Sequence, residues 1–205
     1  MTRTRMVASL VALAAISSLS LLAQAPPSDV YEVNYFAEPN PCLSKSVSKT
    51  DCPLDALRLG TVRIINPGTS GGELCAMIYV FTPDQQLAEC CGCPLSRNAL
   101  LTLDIAANLI ENPLTGVIPT AGAIKIVSSA GATPAGVPTC DPAKLVPTPE
   151  LRSWATHIQT GDVFTESEFL DATLSSAEVT LLQNRCRAIE NNGSGQGICT
   201  CQPIM

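Results

Sequence analysis

The chain has 205 residues, 46% of them hydrophobic and only 4% aromatic, with 12 basic against 18 acidic residues and a formal net charge of −6. Such a balance excludes recognition driven by clustered Lys and Arg on phosphates, so nucleic acid and anionic lipid surfaces are set aside. The ten cysteines, an even count, read first as disulfides of an oxidising compartment.

The first segment reads as a processing signal. Arg3 and Arg5 precede an apolar run from Met6 to Leu22, and Ala23-Gln24-Ala25 places small residues where a signal peptidase reads, with Pro26-Pro27 after them. A retained membrane anchor is the competing reading, but the run is short and diluted by serines for a span that needs about 20 apolar residues. Residues 1–25 are therefore expected to be cleaved, leaving 10 basic against 18 acidic residues, a charge of −8, in a soluble exported product. What remains suits one domain with an appendage, long enough to bury a core without covalent help.

Val30 to Ala37 alternates as a half-buried strand, with Tyr31, Val33 and Tyr35 on one face and Glu32 and Asn34 on the other. Cys42 to Cys52 encloses serines and lysines with little to pack, and a local disulfide is the simplest closure. Gly60 to Asn66 is a strand with Val62 and Ile64 inward. A turn built on Asn66-Pro67-Gly68 and Ser70-Gly71-Gly72 follows. Leu74 to Phe81 differs in kind, because both of its alternating faces are apolar. It belongs at the centre of an assembly. Thr82-Pro83-Asp84 turns the chain into a return strand, Leu87 to Cys91, which leads into the cluster Cys90-Cys91-Gly92-Cys93. Asn98 to Leu109 and Ala123 to Ser129 give further strands. Gly131 to Pro149, rich in Pro, Gly, Thr and Ala, reads as an extended loop anchored by Cys140. Leu151 to Gln159 is a strand with Trp154, Thr156 and Ile158 on one face and Ser153 and His157 on the other.

The C-terminal region changes character. Thr165-Glu166-Ser167-Glu168 fits a weaker capping box before a short helix through Phe169 and Leu170. Ser175-Ser176-Ala177-Glu178 fits a stronger one. Val179, Leu182, Cys186 and Ile189 then recur at helical spacing, and Asn192-Gly193 ends the helix. The tail closes on Cys199-Thr200-Cys201.

No pattern of chemistry outweighs its structural reading. The ten cysteines Cys42, Cys52, Cys75, Cys90, Cys91, Cys93, Cys140, Cys186, Cys199 and Cys201 lack the paired spacing of zinc sites and the two-residue gap of thiol redox catalysts. Adjacent Cys90 and Cys91 point to opposite faces of a strand, so they suit two different partners. His157 is read as a partly exposed structural histidine, and no Gly-x-Ser-x-Gly elbow accompanies it. Glu166, Glu168 and Asp171 form an acidic group that fits a glycosidase pair or calcium less well than helix-start charges. The glycines from Gly68 to Gly72 lack the Lys of a phosphate loop. Asn192-Gly193-Ser194 matches an N-glycosylation acceptor. No metal and no cofactor is assigned.

The runs Gly60 to Pro67, Leu74 to Phe81, Cys90 to Pro94 and Gly195 to Cys201 together resemble uncharacterised exported cysteine-rich bacterial proteins. The resemblance implies an exported bacterial origin and carries over no activity and no catalytic residue.

The expected architecture is mainly β: an antiparallel immunoglobulin-like β-sandwich over residues 26–160, disulfide cross-linked, with a helix and cysteine tail over 161–205 as its appendage. The expected function is a non-enzymatic binding or structural module outside the cytoplasm, with a cell-surface or polysaccharide ligand as a candidate. The alternative is an exported metal-binding or thiol-redox protein using the cysteine clusters and His157.

Overall fold

The doubly apolar strand Leu74–Phe81 is explained by a layered arrangement in which it is covered on both sides. A computed structural model of the protein describes residues 30–37, 60–131, 139–159 and 163–202. Its strands are β1 (Tyr31–Ala37), β2 (Thr61–Ile65), β3 (Leu74–Phe81), β4 (Leu87–Leu95), β5 (Leu100–Asp104), β6 (Ala121–Ala130), β7 (Arg152–Gln159), β8 (Val163–Glu168) and β9 (Leu170–Asp171). One helix, α1 (Ser176–Asn192), follows them. The strands form two antiparallel sheets, a first in the order β4-β3-β6-β1-β9 and a second in the order β5-β2-β7-β8.

All eight residues of β3 are buried. Its Leu74, Ala76, Ile78 and Val80 join Val62, Ile64, Leu103 and Ala155 of the second sheet in one core. Its Cys75, Met77, Tyr79 and Phe81 pack instead with Leu182, Cys186 and Ile189 of α1. The first sheet is thus enclosed between the second sheet and the helix, and period-two alternation of polarity has no reason to appear in it.

The same enclosure corrects the reading of β1. Phe36 and Glu32 are buried, Phe36 in the core shared by the sheets, while Tyr31 and Val33 pack on the helix side and Tyr35 is exposed. Two further elements differ from expectation. The strand expected to run on to Leu109 stops at Asp104, and Ile105–Leu109 forms a π-helical turn. The Asp104 side chain accepts the Ala107 N–H at 2.9 Å, and Asn108 Oδ1 accepts the Asp104 N–H at 2.8 Å, which draws the chain out of the sheet. Leu101, Leu103 and Ile105 remain inward through this change, so alternation alone cannot mark it. Residues 165–171 form strands, not a short helix: β8 pairs with β7 and β9 with β1. Between them Phe169 is buried and its N–H donates to the Ser153 carbonyl at 2.9 Å, so the chain passes from one sheet to the other at this residue.

The helix begins as expected at Ser175, whose hydroxyl accepts the Glu178 N–H at 3.1 Å. Glu178 does not complete a reciprocal box. Its carboxylate takes Lys125 Nζ at 2.6 Å and the Tyr31 hydroxyl at 3.1 Å, tying the first turn to the first sheet. Gly193, in the left-handed region at φ 67°, ends the helix.

Four disulfides join these layers: Cys75–Cys140, Cys90–Cys186, Cys91–Cys199 and Cys93–Cys201. Cys90 faces the helix and bonds to it. Cys91 and Cys93, on the other side of β4, bond to the tail. Gly92 between them is required by close approach, since a Cβ there would lie 2.1 Å from the Cys140 carbonyl oxygen. Cross-links closing stretches of 65 to 108 residues restrict the unfolded chain strongly, each contributing about 2–4 kcal/mol. This density of disulfides goes with an oxidising environment. Cys42, Cys52 and residues 1–25 lie outside the described residues. No described helix is long and apolar enough to cross a membrane.

Candidate functional site

The helix, its disulfide and the loop bearing Cys140 cover the outer face of the first sheet. No described element covers the outer face of the second. Strand period places the same residue types there in rungs. Leu103, Val62 and Ala155 turn into the core, so Thr102, Arg63, Trp154 and Glu168, aligned across β5, β2, β7 and β8, turn outward. The neighbouring rung aligns Asp104 and Thr61 on one side with Thr156 and Glu166 on the other. The result is a pleated surface with one half-buried indole at its centre and polar side chains on each flank.

Those polar groups are held in place by each other. Arg63 Nη1 donates to Glu166 Oε1 and, at 3.3 Å, to Thr156 Oγ1. Thr61 Oγ1 donates to Thr156 Oγ1 at 3.3 Å, and Arg152 Nη1 donates to Glu168 Oε1 at 3.2 Å. The two ion pairs are well exposed, with side-chain exposures of 42–53%, so each adds little to stability. Their effect is positional: Arg63 is tied to Glu166 and Arg152 to Glu168 on the face that carries Trp154. Fixed donors and acceptors around a flat aromatic plate can take a ligand that has an apolar C–H face and a rim of hydroxyls.

Of the residues singled out in the sequence, Glu166 and Glu168 belong to this face, paired with arginines. Asp171 does not; it is in β9 of the other sheet, opposite Glu32. His157 is not partly exposed, as the pattern of β7 suggested. It is buried on the inner side of that strand, because Ser153, Ala155 and His157 face inward while Trp154, Thr156 and Ile158 face out. Its Nε2 shares a hydrogen bond with Ser167 Oγ at 2.9 Å, Asn34 Nδ2 donates to the same oxygen at 3.1 Å, and Tyr35 stacks on the ring with centroids 4.5 Å apart. Burial holds the His157 imidazole below its ordinary range, favouring the neutral ring. The group closes the edge where β1 meets β7. Among the described contacts, no third group hydrogen-bonds the His157 ring.

The sulfurs of Cys91, Cys93 and Cys201 lie within 4.8 Å of one another, a distance at which thiolates hold a metal. Each is committed to a disulfide, and all eight described cysteines are, so none offers the deprotonated sulfur that ligation needs. Asn192 is exposed at the end of α1, where its Nδ2 donates to Ser194 Oγ at 3.2 Å.

Glu89 was not singled out, although a carboxylate inside Leu-Ala-Glu-Cys-Cys was a signal that something buried must hold it. It is fully buried on β4; Oε1 accepts the Asn112 N–H at 2.8 Å and Oε2 has no hydrogen-bond partner. Burial pushes its carboxyl up to about 8, Asn112 opposes this and Glu111 adds to it. Trp154 lies on the expected strand, but its outward direction is hidden, since a face carrying Trp154 and Ile158 is ordinarily the core side. No family model matches the chain, and neither a curated protein nor a solved structure matches it.

Proposed function

We propose that the protein is an exported, non-enzymatic binding module that holds a glycan on the outer face of its second sheet. The observation that carries this reading is the Trp154 plate flanked by Arg63, Arg152, Glu166 and Glu168 on a sheet face that no described element covers. A pyranose ring offers an apolar C–H face to the indole and hydroxyls at its rim to the guanidinium and carboxylate groups. An extended polysaccharide laid along the sheet would use successive rungs. The frame is an immunoglobulin-like sandwich: the pairing of β2 with β5 in one sheet and of β3 with β6 in the other supports it. The disulfides support action outside the cytoplasm, and the reading needs no cofactor.

The alternative, a metal-binding or thiol-redox protein using the cysteine clusters and His157, has less to stand on, since the described thiols are paired and the histidine is engaged with Ser167. The test uses the chain's single tryptophan. Titration with soluble cell-wall and plant polysaccharides should shift Trp154 emission saturably. Trp154→Ala should abolish retardation of the protein in gels containing the same polymer. Retardation of that variant equal to wild type would refute the proposal.

A further inference from the structure

A concave site lies on the helix-bearing side of the molecule, between the middle of α1, the end of β1, the tip of the β3–β4 hairpin and the first residues of β6. It is a cleft of about 570 Å³ whose walls include Tyr35, Phe81, Ala123 and Leu181, within the size range of small-ligand sites. Its apolar character is unusual for a surface that faces solvent: Leu181 and Tyr35 are both exposed. Two cations converge on its floor. Lys125 Nζ is 4.7 Å and the Arg185 guanidinium carbon 5.6 Å from the centre of the Phe81 ring.

The two cations are not equivalent. Lys125 is neutralised by Glu178, which also accepts from Tyr31. Burial, with the Glu178 charge adding to it, holds that phenol well above its ordinary range, so it remains a donor and Glu178 stays engaged. Arg185 has no carboxylate partner among the described contacts. It donates from Nη1 to the Gln85 carbonyl at 2.7 Å, which anchors the fork against the β3–β4 turn and leaves its other N–H groups for a ligand. A guanidinium so placed matches the bidentate geometry of a carboxylate. The geometry points to a binding site for a single-chain amphiphilic carboxylate, a medium-chain fatty acid or its like. The head lies on Arg185 and the chain runs over Phe81 and Leu181. This inference is independent of the glycan face, which lies on the other sheet.

Titration calorimetry of the full oxidised chain with sodium decanoate below its micelle concentration tests it. Saturable binding at one site per chain is expected. Decan-1-ol, with the same tail and no charge, should bind about ten-fold more weakly, and Arg185→Gln should weaken decanoate by about the same factor. Trp154→Ala should leave decanoate binding unchanged, which separates this site from the glycan reading. Absence of saturable heat from decanoate in the wild-type protein would overturn the inference. So would an alcohol that binds as tightly as the acid, an arm that needs no variant to fold.

Discussion

Replacing Glu89 by Gln isolates the energetic consequence of placing a carboxyl group in the core beneath β4. In the folded protein burial raises this group from the ordinary 4.5 to about 8, with Glu111 adding to the shift, while the Asn112 N–H at 2.8 Å partly offsets it. In the unfolded chain the group titrates at its ordinary value. Between the two values the native state holds a proton that the unfolded state has released, so stability falls as pH rises. The slope is about 1.4 kcal/mol per pH unit, and the loss accumulates to at most about 5 kcal/mol by pH 9. Below about pH 4.5 both states are protonated and the penalty is absent. Gln keeps an oxygen for Asn112 and cannot ionise. Urea unfolding followed by Trp154 emission at pH 5, 7 and 9 should show the wild type losing stability across the series relative to Glu89→Gln. The variant should be the more stable of the two by several kcal/mol at pH 9. Parallel behaviour of the two proteins from pH 5 to 9 would show that Glu89 is ionised and solvated in the native state, contrary to its burial.

The remaining predictions concern other layers of the molecule. His157, held below its ordinary pKa by burial, has the opposite sign. The native state takes up a proton less readily than the unfolded one, so this contribution is complete above about pH 6.5 and lost as pH falls below it. His157→Gln should flatten that acid limb, as measured by thermal melts between pH 4 and 7. Ile78→Asp places a charge between two buried layers and should abolish folding, seen as loss of soluble oxidised protein, since an unpaired buried charge costs several kcal/mol. Normal yield and melting of that variant would contradict the double burial of β3. Cys90→Ser with Cys186→Ser removes the one covalent tie between β4 and α1 and should cost about 2–4 kcal/mol, read from the shift in urea midpoint. Alkylation of the unreduced, denatured protein followed by mass measurement should find no label on the eight cysteines of the four disulfides.

Much of the scaffold was legible because local rules and packing agreed. Leu74 to Phe81 showed two apolar faces, Val62 and Ile64 alternated against a solvent-facing Arg63, and Ser175 and Gly193 bracketed the helix. The opposed directions of Cys90 and Cys91 followed from strand geometry. What failed did so where a face is covered twice or where two periods coincide. In β1 both sides are packed, so apolarity could not tell which one met the second sheet. The Leu101, Leu103, Ile105 alternation ran unbroken into the π-helical turn, whose cause is a pair of side-chain bonds, Asn108 Oδ1 accepting the Asp104 N–H and the Asp104 carboxylate accepting the Ala107 N–H, distant from any apolar pattern. The spacing of Thr165 and Glu168 imitated a helix start, but the pairing of β8 with β7 and the burial of Phe169 outweighed a single cap. The binding face was hidden for a related reason. Trp154 and Ile158 look like core residues, but Ser153, Ala155 and His157 take the inner side of β7 and leave them on the outer face.

We propose that the outer face around Trp154 holds a glycan, with the eight described cysteines serving as cross-links. Titration of the oxidised protein with a panel of soluble polysaccharides, read by the emission of its single tryptophan, addresses that claim most directly. A saturable shift with at least one polymer, weakened about ten-fold by Arg63→Ala and lost in retardation assays of Trp154→Ala, is the predicted result. Emission that stays constant across the panel, with wild type and Trp154→Ala equally retarded by each polymer, would contradict it.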